Sequence, residues 1–203
     1  MKIKVCGMTD PQNIRDLAAL PVDMIGLIFH RPSPRCITAP PDALPDTAAV
    51  RVGVFVNETL DEILAAADRY HLQMIQLHGD ETSDTRAALR RRGLQVIKAI
   101  NVSTADDLRH TGSSARASDL LLFDARFPGS GRKFDWKILN TYAGALPFIL
   151  AGGINPDDAP AIGQITHPAL LAVDLNSRFE TAPGVKNIPA IRQFIQNLEN
   201  NPT

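Results

Sequence analysis

Cys6 and Asp124 are the two side chains of this 203-residue chain whose type and placement best suit acid–base chemistry. Cys6 closes the strand-like run Ile3-Lys4-Val5 and precedes Gly7 and a helix-start signal, so its thiol should project from a strand's carboxyl end. Asp124 closes the run Leu120-Leu121-Leu122-Phe123 in the same way. Parallel α/β sheets carry their chemistry at that end. Both residues also have bland uses, since cysteine is often a small buried hydrophobe and aspartate often caps a loop. Facing each other across a cleft, a thiol and a carboxyl group form a general acid–base pair. No Cys-His nucleophile motif is present. His78 has no partner readable along the chain and is read as structural.

A second set of residues suits an anion. Gly152-Gly153 precedes the helix-start pair Asn155-Pro156, so the backbone can approach a ligand while N–H groups point at it. Ser177 offers further amides after the last strand-like run. Arg35 follows Ser33-Pro34, which stiffens its loop, and a guanidinium can grip a carboxylate with two hydrogen bonds. Its bland alternative is a surface ion pair. The segment 126–133 mixes glycines with cations and suits a lid over an anionic ligand.

What must position these residues is a repeat of strands and helices. Apolar or β-branched runs recur at 3–5, 24–29, 50–56, 74–77, 96–100, 120–123, 148–150 and 170–173, with starts about 24 residues apart, room for one helix and two loops. Several are apolar throughout, as strands buried on both faces should be. Asp10-Pro11 and Asn155-Pro156 place a capping side chain before a proline. Thr59 and Glu62 have capping-box spacing, and Ile191, Phe194, Ile195 and Leu198 form one apolar stripe. Segment 101–118 is polar, so its helix should be short or missing. Eight such units predict a closed, single-domain (β/α)8 TIM barrel over residues 1–203 rather than an open doubly wound sheet. Strands one and six are three apart around that ring, which sets Cys6 and Asp124 across its mouth.

The totals exclude several classes. A net charge of −1 gives no whole-chain attraction to nucleic acid or an anionic membrane. Arg90-Arg91-Arg92 before Gly93 reads as a solvated helix end. Cys6 and Cys36 are the only cysteines, too few for a disulfide scaffold and without zinc-site spacing. The amino terminus lacks the apolar core of a signal peptide, and no stretch reaches the roughly 18 apolar residues of a membrane span. A cytoplasmic monomer is expected, with no metal, nucleic-acid or membrane partner.

The chain resembles the phosphoribosylanthranilate isomerase family over nearly its whole length. The resemblance rests on Lys4-Val5-Cys6-Gly7-Met8-Thr9, Ser33-Pro34-Arg35, Val52-Gly53-Val54-Phe55-Val56-Asn57, Gln76-Leu77-His78-Gly79-Asp80, Gly131 through Phe134-Asp135-Trp136, Ala151-Gly152-Gly153 and Asp174 through Pro183-Gly184-Val185-Lys186, in order and at matching spacing. It implies an Amadori rearrangement of N-(5-phosphoribosyl)anthranilate in tryptophan biosynthesis, with a small phosphorylated substrate and no cofactor. By resemblance Asp124 is the general acid on the ribose ring oxygen, and Cys6 is the base that removes the C2 proton. Arg35 would contact the anthranilate carboxylate, while Gly152, Gly153, Ser177 and Arg178 would fall on the phosphate loops. Arg178 departs from the family, which commonly has a small residue there. The competing readings are another sugar-phosphate barrel enzyme and a non-catalytic barrel that binds phosphorylated ligands.

Overall fold

The computed structural model describes residues 1–125 and 133–200. The eight predicted runs all form strands: β1 (Lys2–Cys6), β2 (Met24–Ile28), β3 (Val50–Phe55), β4 (Met74–Leu77), β5 (Gln95–Val102), β6 (Leu120–Ala125), β7 (Phe148–Leu150) and β8 (Leu170–Leu175). Every neighbouring pair is parallel, and β1 pairs with both β2 and β8, closing a barrel in chain order. A short antiparallel hairpin, β9 (Glu180–Ala182) and β10 (Val185–Lys186), stands outside it.

Among the described residues seven α-helices lie between and after the strands: α1 (Pro11–Ala18), α2 (Leu60–Tyr70), α3 (Ser83–Arg91), α4 (Ala105–Arg109), α5 (Gly112–Ala115), α6 (Ala159–Gly163) and α7 (Ile188–Glu199). The expected caps form. Asp10 accepts from the Asn13 amide above Pro11, and Thr59 and Glu62 complete a capping box. The polar 101–118 segment holds only the short α4 and α5. The predicted helix start at Asn155 opens as a 3₁₀ turn, Pro156–Asp158, before α6; the second proline, Pro160, sits in the first turn of α6.

Alternation along the strands divides the core. One set, including Val5, Ile25, Ile75, Leu121 and Phe123, packs outward against the helices together with Ile191, Phe194 and Ile195 of α7. The other set, Met24, Val52, Met74, Ile97, Leu122, Ile149 and Ala172, fills the barrel interior. Lys4 shares that inner face. It is 0% exposed, stands beside Asp174 in the β1–β8 register, and donates to it at 2.7 Å. An ion pair thus replaces an apolar layer just below the mouth.

Candidate active site

A cavity of about 470 Å³ opens at the carboxyl ends of the strands. Its walls include Cys6, Arg35, Gln76, His78, Asp124, Gly152, Gly153, Asp174, Asn176 and Ser177. Of the proposed catalytic and binding residues Cys6, Asp124, Arg35, Gly152, Gly153, Ser177 and Arg178, only Arg178 lies outside that wall; it sits exposed on the 3₁₀ turn Ser177–Phe179. The predicted lid over 126–133 falls outside the described residues except at Lys133, which pairs with Asp158.

Cys6 occupies a fitted slot. Its register partner is Gly26, where an added Cβ would stand 2.6 Å from Sγ, so only glycine admits the thiol here. Burial pushes the Cys6 thiol above its ordinary 9.0, and Asp174 adds to that push, while Lys4 and Lys186 pull the other way. Lys4 would lose affinity for its proton by burial, yet Asp174 and Cys6 outweigh this and raise its pKa. The base candidate therefore rests on a buried ammonium.

Asp124 stands on β6, across the ring from Cys6. Its Oδ1 accepts from the amide of Ala125 at 2.8 Å, and its Oδ2 lies 3.5 Å from Nε2 of His78. The structure thus supplies the partner that the sequence could not show for His78. Gln76 Nε2 faces His78 Nδ1 at 3.2 Å; with that amide donating, the imidazole proton sits on Nε2, near Asp124 but not hydrogen-bonded to it. Three buried polar atoms in this wall, Gln76 Oε1, His78 Nε2 and Asp174 Oδ1, have no hydrogen-bond partner among the described residues. A native interior rarely leaves such atoms unpaired without a functional reason.

Gly152 presses on the same carboxylate. A Cβ there would meet Ala125 N at 2.5 Å and Asp124 Oδ1 at 2.9 Å, and its φ of +89° already favours glycine. Beyond it, the backbone N–H groups of Gly153, Ile154 and Ser177 donate to no group among the described residues. Two loops thus converge with open donors, the arrangement that seats a phosphate.

Arg35 approaches from the β2 loop, its amide held by Ser33 Oγ. Glu180 of β9 grips the guanidinium through Nε and Nη2, at 2.7 to 3.0 Å. One cavity therefore gathers a guanidinium, open amides, and the Cys6 and Asp124 side chains. Among the described residues no group of three or more histidine, cysteine, aspartate or glutamate side chains could hold a metal ion.

A family model described as N-(5'-phosphoribosyl)anthranilate isomerase matches residues 3–197. A relative of that name from Parabacteroides distasonis is 42% identical over 206 residues, covering 98% of this chain and 93% of its own. The crystal structure of phosphoribosyl anthranilate isomerase from Thermotoga maritima superposes with a TM-score of 0.86 at 32% identity, covering 98% and 99% of the two chains. A further isomerase of this name, solved with reduced 1-(o-carboxyphenylamino)-1-deoxyribulose 5-phosphate, gives a TM-score of 0.83 at 30% identity over 98% and 99%.

Proposed function

This chain belongs to the N-(5'-phosphoribosyl)anthranilate isomerase family, and we propose that its mouth cavity runs the family's reaction with Cys6 as base and Asp124 as acid. It is an isomerase of tryptophan biosynthesis, converting N-(5-phosphoribosyl)anthranilate to 1-(2-carboxyphenylamino)-1-deoxyribulose 5-phosphate. The observation that supports the assignment of roles is that one cavity gathers four kinds of group: the Arg35 guanidinium, the Cys6 thiol, the Asp124 carboxyl and the open amides of Gly153, Ile154 and Ser177. The substrate carries a carboxylate for the guanidinium, a ribose for the thiol and carboxyl, and a phosphate for the amides.

With the two anionic ends held, the ribose lies between thiol and carboxyl. Asp124 gives its proton to the ring oxygen as the C1–O bond breaks, and the nitrogen lone pair forms the C1=N bond of a Schiff base. Cys6, as thiolate, takes the C2 proton; the C–H electrons form C1=C2, and the C1=N π electrons return to nitrogen. The enolamine then becomes the ketone by losing its 2-hydroxyl proton and gaining one at C1. His78 Nε2–H stabilises the Asp124 carboxylate left by the first step, and Lys4 stabilises the thiolate required by the second. Both effects act where charge develops inside a site shielded from water. Arg178 contributes to the phosphate seat only as a charge near its edge.

The whole chain is one catalytic barrel working in the cytoplasm. It acts as a monomer: among the described residues Met1 is the only large hydrophobic side chain left exposed. Sedimentation at micromolar concentration checks this, and a dimer mass contradicts it.

The roles are tested by following anthranilate fluorescence in wild type, Cys6→Ser and Asp124→Asn. Each variant should lose at least about a hundredfold in kcat, since a positioned acid or base supplies 10² to 10⁴. Normal turnover by Cys6→Ser would sink the assignment.

A further inference from the structure

We propose that Glu180, on the β9–β10 hairpin, is a positioning residue that makes the site selective for a carboxylate on the substrate's aromatic ring. The proposal rests on reading Arg35 as the contact for that carboxylate. A free arginine side chain samples many rotamers, and a bidentate site works only if its planar fork is held. Glu180 supplies the hold. Its Oε1 accepts from Arg35 Nε at 2.9 Å, and its Oε2 accepts from Nε at 3.0 Å and from Nη2 at 2.7 Å. The Nη1 group makes no hydrogen bond among the described residues, so the free edge of the fork is the one Glu180 does not cover.

The clamp is itself anchored from several directions. Glu180 Oε1 also accepts from Lys186 Nζ at 2.6 Å and from the Gly184 amide at 3.2 Å. Lys186 is buried, and its Nζ also donates to Asn176 Oδ1 at 2.8 Å. Asn13 brackets the Lys186 backbone by accepting from its amide at 2.7 Å and donating to its carbonyl at 2.9 Å. Thr9 donates to the Gly184 carbonyl through its amide and hydroxyl at 3.2 and 3.1 Å. The stem of Arg35 lies over Gly7, where an added Cβ would meet Arg35 Cδ at 2.9 Å. Two cations meet one carboxylate here, so Glu180 also keeps Arg35 from being repelled by Lys186.

Selectivity gives a readout that a merely structural role would not move. The natural substrate and N-(5-phosphoribosyl)aniline, which lacks the carboxylate, are compared by kcat/KM with chromatographic product analysis. Wild type should favour the natural substrate, and Arg35→Ala should abolish the preference. Glu180→Gln should lower the preference about tenfold, mainly by raising KM for the natural substrate, the size expected for one misplaced charge-assisted hydrogen bond. In case the uncompensated Lys186 unfolds that variant, the double variant Glu180→Gln/Lys186→Met removes the orphaned charge and should show the same drop. If Arg35→Ala leaves the preference intact, the carboxylate reading fails and this proposal with it. If Arg35→Ala abolishes the preference but both Glu180 variants retain it, Glu180 alone is misassigned.

Discussion

Two cavities share His78 as a wall, and they differ in how their polar groups are satisfied. The one outside the barrel, between the β4–α3 loop, β5 and α5, is the larger at about 720 Å³, against about 470 Å³ at the mouth. Its buried cations are fully engaged. Lys98 Nζ bonds the carbonyls of Leu77 and Gly79 and pairs with Glu81, and Arg86 donates to the carbonyls of Glu81, Ser113 and Arg116. At the mouth, buried oxygens of Gln76 and Asp174 and three loop amides stay unpaired. A satisfied cluster braces a loop, while unsatisfied groups are ready for a ligand. Volume alone would have chosen the wrong cavity.

The sharpest way to test this contrast is to remove a buried ammonium from each place. Lys4→Met leaves the buried Asp174 carboxyl, whose pKa burial already raises, without its partner, so unfolding in denaturant should show a loss of about 3 to 5 kcal/mol, together with a large fall in kcat. Lys98→Met strips donors from two carbonyls and a carboxylate that keeps the amides of Asn57 and Gly79. It should cost about 1 to 3 kcal/mol and leave kcat within a few-fold. If Lys98→Met impaired kcat as much as Lys4→Met, the outer cavity would belong to the reaction and the contrast would fail.

A glycine pair repeats the test at the level of backbone. Gly152 and Gly93 both have positive φ, +89° and +80°. A methyl at Gly93, where no atom lies within 4 Å, meets only the conformational cost, about 1 kcal/mol. At Gly152 it strikes the backbone of Ala125 and the Asp124 carboxylate. Gly152→Ala should therefore lower kcat/KM about a hundredfold by displacing the acid, while Gly93→Ala lowers the melting point and leaves the kinetics alone. Equal kinetic effects would remove the special status of the mouth.

The same division governs what could be read from the chain. The strands were legible because buried parallel strands must be apolar throughout, and Asp10, Thr59 and Asn155 announced their turns through local capping chemistry. Cys6 and Asp124 were legible from their address at strand ends. What escaped depends on partners far away in sequence. Lys4 looks like the solvent-facing member of Ile3-Lys4-Val5, and only the closing of β1 on β8 pairs it with Asp174, 170 residues on. Arg35 and Glu180 are 145 residues apart, and the hairpin carrying Glu180 is too short to show a pattern. His78 gained its partner only when β4 and β6 were set around one ring.

The smallest expected effect separates the two regions by pH. Burial and Asp174 lift the Cys6 thiol above 9.0, whereas Lys4 and Lys186 lower it. The base works as thiolate, so in a Cys36→Ser background the ultraviolet thiolate absorbance of Cys6 should rise only as pH passes above the ordinary cysteine range. Removing a cation that favours the thiolate raises the thiol pKa further, so Lys186→Met should move the rising limb to higher pH. Lys98 sits against Glu81 outside the barrel, and burial lowers its own pKa, yet Cys6 is not among the charges that act on it. Lys98→Met should leave the limb in place. A limb that moves equally in both variants would mean that net charge, rather than the placement of an ammonium beside the thiol, sets the base.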